Sequence, residues 1–381
     1  MIELEIIKQN RLFDGIFFVT HENVSIDSAF STAVVVNEML DKIEQGVCYL
    51  TYIQSVYEQL RCNGACCCLV DSNRYIFADE DIVFINSSER KILVVFYAKS
   101  KNNGLFLTAC CNQKCIMCVQ PPEKKDSLNY IDIAKKIIEF SKAPDSIVIT
   151  GGEPTLTGQC LLDIIGLINV KWPSTYTTLL TNARRMSAKY VSAIDQVINK
   201  DMFSFGIPLH SDIPEMHDYI AGSRGAFQDT IRGLWELSKI NVFIELRIVV
   251  SRKNVDRLPD MVKFIGLNLP FVGRVSIMQM EPCGFARDKW EELWLPVYDY
   301  ESRLVNAVEQ ANEMAIPVLL YNYQLCCIPS RLKRNARNSI SDWKNDYMPT
   351  CNHCAEKKNC GGFFSSQNNE YFLPKITPIV W

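Results

Sequence analysis

Cys111, Cys115 and Cys118 form a C-x3-C-x2-C set in the segment ACCNQKCIMCVQPP. Thiolates three and four residues apart on a loop can converge on one iron–sulfur cubane, binding three of its irons and leaving the fourth open to a ligand. A zinc site short of one ligand, or a group of buried free thiols, would share that spacing. Adjacent Cys110 reads as an inward-facing small residue. Downstream, GGEPTL begins at Gly151. Gly151 and Gly152 allow the backbone to approach a ligand closely, and Glu153 offers a carboxylate that can accept hydrogen bonds from an ammonium group. A plain strand–turn–helix junction with Pro154 at the helix start reads equally well there.

A second constellation lies near the end of the sequence. Cys351, Cys354 and Cys360 stand in CNHCAEKKNCGGFF, with Cys326 and Cys327 some two dozen residues earlier. One of that pair would bring the thiolates to four, enough to saturate a cluster, and Cys327 is the expected fourth ligand. Zinc fits the same pattern, with His353 as an alternative ligand. A third group, CNGACCC from Cys62 to Cys68, leads into an apolar run and reads as structural thiols.

The elements that must position these residues alternate. Apolar runs LFLT, SIVIT, YTTLLT, MFSFGIPL, VFIELRIVV and RVSIMQM have strand length and β-branched or aromatic content. Helical stretches lie between them: NYIDIAKKIIEF, LLDIIGLI, AKYVSAIDQVI, AFQDTIRGLWELSK and LPDMVKFIGL. Such repetition implies a parallel sheet with right-handed crossovers, here a partial (β/α)6 barrel of TIM-like α/β class over about residues 101–285. Chemistry in these sheets sits at the carboxyl ends of strands, which is where the cysteine loop and GGEPTL fall. Residues 1–100 read as a small α+β domain, with a helical middle from about Thr32 to Leu60. Residues 286–381 read as an amphipathic helix, roughly Pro296 to Ala315, followed by the cysteine-bearing extension and the closing string LPKITPIVW.

Composition narrows the class. Of 381 residues, 48% are hydrophobic and 22% charged, so a core can form, and a net charge of −3 gives no basic field for nucleic acid. The basic run RLKRNAR (Arg331 to Arg337) reads as a solvated helix face or a hold for an acidic partner. No apolar stretch is long enough to span a membrane, and the acidic start MIELEIIKQNR does not read as a secretory signal. A cytoplasmic location is expected, where sixteen cysteines point to metal ligation rather than disulfides. Only four histidines are present, which disfavours a histidine-rich metal centre.

CNQKCIMC and GGEPTL on successive βα units resemble the radical SAM superfamily. The resemblance implies a 4Fe–4S cluster on Cys111, Cys115 and Cys118 whose open iron is chelated by S-adenosylmethionine (SAM). Gly151, Gly152 and Glu153 would hold its methionyl part. An electron from the reduced cluster would then release a 5′-deoxyadenosyl radical that abstracts hydrogen from substrate. Asn182 beside Thr181, Arg247 and Asn254, and Gln279 between Met278 and Met280 fall where later SAM contacts lie in that family. On the fourth strand, Leu209 and Ser211 stand where many members carry serine followed by aspartate. Arg247 and the methionines would serve equally as barrel packing, and His210 and His217 read as structural. The tail resembles SPASM and twitch extensions, which carry auxiliary 4Fe–4S clusters. Phe364 occupies a position where SPASM continues with cysteine, so one auxiliary cluster in a twitch-like arrangement is expected.

From about Asp79 to Phe364 the chain is similar to the His-Xaa-Ser-system radical SAM maturases (HxsC type), on strings such as MCVQPP, GIPLHSD, QMEPCGFARDKWEELW and CGGFF. That resemblance implies an oxidoreductase acting on a ribosomally made precursor peptide, a possible second maturase, and an electron donor of flavodoxin or ferredoxin type.

Overall fold

The computed structural model describes residues 1–12, 14–21, 32–44, 47–71, 75–367 and 376–380. The chain divides into two compact units, Met1–Leu105 with Asp132–Pro144, and Phe106–Ile131 with Asp145–Trp381.

In the first unit, β1 (Ile2–Gln9), β2 (Asp14–Thr20), β3 (Thr32–Val35), β4 (Cys48–Thr51), β5 (Cys66–Val70), β6 (Ile82–Asn86) and β7 (Lys91–Phe96) close a barrel in the order β1-β5-β4-β3-β2-β6-β7, with α1 (Gln54–Cys62) before β5. The helical middle expected over Thr32–Leu60 therefore resolves into two strands and one short helix. The physical reason is the β-branched run Ala33–Val36, which is buried along its length and suits a pleated surface. The CNGACCC group supplies β5, where Cys67 and Cys68 are buried core residues.

The second architecture is an open eight-stranded sheet, order β15-β14-β13-β12-β11-β10-β9-β8. The six expected runs give β8 (Asn103–Phe106), β9 (Ser146–Thr150), β10 (Tyr176–Leu180), β11 (Phe203–Pro208), β12 (Phe243–Val249) and β13 (Arg274–Met278). Following them in the chain are α2 (Tyr130–Phe140), α3 (Gln159–Lys171), α4 (Ala188–Asp195), α5 (Pro214–Ala221) with α6 (Ala226–Ser238), and α7 (Leu258–Asn268). Pairing is parallel from β9 onward. After two short helices, α8 (Gly284–Asp288) and α9 (Trp290–Leu293), and the expected amphipathic helix α10 (Glu301–Glu313), the chain adds β14 (Val318–Tyr321) and the two-residue β15 (Ala336–Arg337) to the same sheet. The sheet thus exceeds the six strands expected. The basic run also departs from expectation: Ser330–Asn335 is a 3-10 turn leading into β15, and Arg331, Arg334 and Arg337 are exposed. Leu373 to Lys375 and Trp381, within the closing string LPKITPIVW, lie outside the described residues. Among the described residues no helix is long and apolar enough to cross a membrane.

Candidate metal and cofactor site

The loop after β8 carries Cys111, Cys115 and Cys118, and its backbone is tied on three sides. Lys114 and Ile116 amides donate to the Ala221 and Ile220 carbonyls at the end of α5, at 3.0 and 2.9 Å. The Phe285 amide donates to the Cys118 carbonyl at 2.9 Å. Two glycines make these approaches possible. Gly222, at φ +60, has no room for a Cβ against the Lys114 carbonyl, and a Cβ on Gly284, at φ +52, would sit 2.7 Å from the Cys118 carbonyl. Beneath the loop, Ile116 and Met117 pack with Ile220, Met280, Trp290 and Leu293.

The third tie explains GGEPTL. The Gly152 amide donates to the Thr108 carbonyl at 2.7 Å and the Glu153 amide to the Cys110 carbonyl at 2.9 Å. A Cβ on Gly151 would lie 2.6 Å from the Thr108 oxygen, and one on Gly152 would collide with the Cys110 carbonyl. The two glycines therefore admit the cysteine loop itself, where sequence reasoning had them admitting a ligand.

Glu153 is only 1% exposed, and its carboxylate is already occupied. Oε1 accepts from the Thr155 amide (3.0 Å), Thr155 Oγ1 (2.6 Å) and Thr181 Oγ1 (2.7 Å), and Oε2 accepts from the Asn182 amide (2.7 Å). Instead of presenting a free carboxylate to an ammonium group, Glu153 joins the ends of β9 and β10. Buried charges persist only with such compensation. Asn182 passes the tie onward, its Nδ2 donating to Asn112 Oδ1 in the cysteine loop at 2.7 Å. Arg184, which sequence reasoning did not single out, donates to the Asn112 carbonyl at 3.0 Å while its guanidinium pairs with Asp229. An arginine four residues beyond the end of β10 was the available signal.

The remaining expected contacts divide. Ser211 is buried, its Oγ accepting from the Ile213 amide at 3.1 Å, and Asn254 is engaged by Ser251, Val249 and the His210 carbonyl. The Asn254 side chain is thus engaged within the fold, whereas the Ser211 hydroxyl retains its own proton to donate. Arg247, half-buried on β12, lies alongside Gly206 of β11, within 3.2 Å of where a Cβ would stand. Gln279 is half-buried just past β13, its amide donating to the Tyr321 carbonyl at 3.1 Å. His210 and His217 are buried side by side, ring centres 5.1 Å apart.

The thiols themselves are half-buried. Burial pushes Cys111 up to about 11, with Glu153 and then Cys118 adding to the rise, and Cys115 up to about 12, with Cys118 and Cys111 adding; burial also raises Cys118. Such thiols stay protonated at neutral pH, so taking up a metal must release protons. Among the described residues no three His, Cys, Asp or Glu side chains close around a single metal ion. Each loop thiol instead has a local partner: Cys111 Sγ accepts from the Gln113 amide at 3.4 Å, Cys115 Sγ donates to Gln113 Oε1 at 3.4 Å, and Cys118 Sγ donates to the Gln120 carbonyl at 2.9 Å. Three mutually influencing thiols on one backbone-clamped loop are a soft donor set that suits an iron–sulfur cluster. A neutral, buried imidazole beside Cys115 is compatible with it.

The tail forms a separate site within the same unit. Cys326, Cys351, Cys354 and Cys360 line one partly open cavity with ≈ 390 Å³ of empty space. Here the structure differs from expectation: Cys326, rather than Cys327, is on the cavity wall. The cause is local. The two sulfurs lie 3.9 Å apart and Cys327 also interacts with Cys351 and Cys360, but it is the more buried of the pair and lies near Tyr300. The hydrogen bond to Cys327 lowers the Cys326 thiol to about 7, whereas Cys327 is driven up. Gly362, at φ +66, turns the chain beneath the cavity, where β16 (Asn345–Asp346) pairs with β17 (Phe363–Phe364).

Comparison with known proteins adds a family. Residues 105–265 match the family model described as the radical SAM superfamily. A probable GTP 3',8-cyclase of Pyrobaculum aerophilum is 27% identical over 195 residues, covering 49% of this chain and 60% of that protein. An uncharacterised protein of Methanocaldococcus jannaschii is 24% identical over 169 residues, covering 42% of this chain and 57% of its own length. The chain thus spans less than two thirds of either relative. Among solved structures, Streptococcus suis SuiB bound to S-adenosylmethionine aligns with a TM-score of 0.48 at 13% identity, over 60% of this chain and 52% of that one. The thiol loop and the glycine junction both lie inside the span, residues 105–265, that matches the radical SAM superfamily model.

Proposed function

We propose that this protein is a radical SAM enzyme that oxidatively modifies a ribosomally made precursor peptide, by a cross-link or a related change. The superfamily implies a 4Fe–4S cluster and SAM, and Cys111, Cys115 and Cys118 are the residues that would hold the cluster. When bound, the pair supplies a one-electron reductive cleavage whose carbon radical removes a hydrogen atom from substrate. The chain's own part is positional. Glu153 and Asn182 fix the thiol loop, and burial of Ile116, Met117 and Trp290 keeps water from beneath it. The observation that carries the reading is the backbone junction of Gly152 and Glu153 with Thr108 and Cys110, which joins the two motifs into one site.

The peptide substrate rests on the resemblance to His-Xaa-Ser-system maturases together with the four-thiol tail cavity. A second, auxiliary 4Fe–4S cluster there, held by Cys326, Cys351, Cys354 and Cys360, would give a substrate radical an electron acceptor. Anaerobic reconstitution should yield about eight irons per chain, the content of two such clusters, and dithionite should drive release of 5′-deoxyadenosine from SAM. Co-expression with the neighbouring peptide gene, followed by tandem mass spectrometry, should show a peptide lighter by two hydrogens. A colourless zinc protein that leaves SAM intact would sink the reading. Unchanged mass with solvent deuterium at one α-carbon would replace oxidation with epimerisation.

The Pyrobaculum relative favours a second reading, a small-molecule substrate of nucleotide type. Turnover of a nucleotide without any peptide would support it.

A further inference from the structure

His210 lies two residues beyond β11, and its backbone is fixed from both sides. The His210 amide donates to His217 Nδ1 at 3.2 Å, and Asn254 Nδ2 donates to the His210 carbonyl at 3.0 Å. The residue is 4% exposed, so water has little access to the ring. One ring nitrogen, Nε2, stands 3.9 Å from Cys115 Sγ. The other, Nδ1, is buried with no hydrogen-bond partner.

That asymmetry assigns the proton. A buried N–H without an acceptor is rare, whereas an unused acceptor lone pair is tolerated more readily. The bare nitrogen is therefore Nδ1 and the proton sits on Nε2, the nitrogen aimed at the sulfur. While Cys115 is a free thiol it donates to Gln113 Oε1, and its lone pairs remain available. A metal-bound thiolate has no proton to give and can only accept. His210 Nε2–H then points at an accepting sulfur, alongside the side-chain amide of Gln113 and the Cys115 backbone amide, with the apolar cluster of Ile116, Ile220 and Met280 packed beside it.

We infer that His210 is a positioning residue that donates Nε2–H to the Cys115 sulfur and thereby sets the reduction potential of the cluster held there. This rests on the cluster assignment of the proposed function. A hydrogen bond to a ligand sulfur withdraws negative charge from the iron and favours the reduced state, and such bonds are among the means by which proteins tune iron–sulfur potentials. Nothing in the sequence marks the role, because His210 and Cys115 are 95 residues apart in the chain.

The test is an EPR-monitored redox titration of the reconstituted protein, following the signal that changes when SAM is added. His210→Phe should take up iron at the wild-type level but hold a roughly tenfold lower reduced-to-oxidised ratio at a given potential, ~59 mV downward for a one-electron couple. His210→Gln, which can still donate, should stay within about twofold of wild type. Because either variant could lose structure, the unmodified protein labelled with 15N-histidine supplies a second readout: the reduced, SAM-responsive cluster should couple magnetically to a histidine nitrogen. A full iron complement with an unshifted potential in His210→Phe, or the absence of nitrogen coupling in the labelled protein, overturns this inference and leaves the cluster assignment standing. Absence of any SAM-responsive cluster in the wild-type protein overturns the proposed function instead.

Discussion

The two cysteine sites of the second unit are built on opposite plans. The loop at Cys111, Cys115 and Cys118 is clamped through its backbone by Ala221, Phe285 and the Gly152–Glu153 junction, and its thiols lean on local partners. The tail site is tied largely by side chains, Tyr347 Oη donating to the Cys360 carbonyl at 2.7 Å and Gln324 Nε2 to the Gly362 carbonyl at 2.9 Å. It is a cavity walled by four thiols among 3-10 turns and a two-residue ladder, β16 with β17. Three thiols on a rigid frame leave a coordination position for something other than protein, whereas four around a cavity close it. Backbone clamping to neighbouring elements accompanies the open site, where a ligand must be placed; a saturating set of thiols accompanies the other, where a bound metal would add to the order.

Removing one thiol from each site is the sharpest way to break this comparison. Cys115→Ala should abolish reductive SAM cleavage and lower iron by about four per chain. Cys326→Ser should lower iron by the same amount yet keep SAM cleavage, while Cys327→Ser should leave iron unchanged. Iron assay beside 5′-deoxyadenosine release measures both, and loss of iron in Cys327→Ser with retention in Cys326→Ser would reverse the tail assignment.

The rigid frame can be tested without touching a thiol. Gly152→Ala forces a methyl group into the Cys110 carbonyl, and overpacking of this kind costs about 1–3 kcal/mol. Its midpoint in chemical denaturation should fall while that of Gly166→Ala, inside α3 where a Cβ meets nothing within 4 Å, should not. Equal losses in the two variants would show that packing against the thiol loop is not what Gly152 supplies.

The smallest effect concerns pH. Burial, and secondarily the Arg184 charge, depress His217 to about 4. The native state therefore holds it neutral, while an unfolded histidine titrates near 6.5. Below about pH 6.5 the unfolded chain binds the extra proton, so stability falls as pH drops toward about 4, by at most ~1.4 kcal/mol per pH unit for this group. Above pH 6.5 the term vanishes. Denaturation midpoints of wild type and His217→Gln, compared across that window, should converge on acidification; parallel curves would remove His217 from the account.

Much of the parallel sheet was legible because its strands are short apolar runs separated by helices, several of them strongly amphipathic, as in Phe203–Pro208 followed after α5 by Ala226–Ser238. The thiol loop and GGEPTL were legible as a pair for the same reason. What failed depended on partners far away in sequence. Val318–Tyr321 is a four-residue apolar run whose identity as a strand comes from pairing with β13 and β15. Ala33–Val36 was absorbed into a helical reading because four residues cannot display a period. Glu153 could be seen as a carboxylate, but its donors Thr181 and Asn182 belong to the next βα unit. Cys326 and Cys327 are indistinguishable as letters, and only the turn that contains them decides which thiol faces the cavity.

The Phe285–Cys118 hydrogen bond has a consequence for biogenesis. Synthesis delivers Cys118 long before Phe285, because β9 to β13 all lie between them. Until α8 has emerged, the thiol loop lacks one of its three backbone anchors, and until α5 has emerged it lacks two. A nascent chain therefore exposes these thiols to solvent, and to any scavenging metal, for most of its translation. Faithful loading must come late, after the sixth barrel strand is in place, and a truncated chain ending before Gly284 should be a poor recipient for iron however many cysteines it retains.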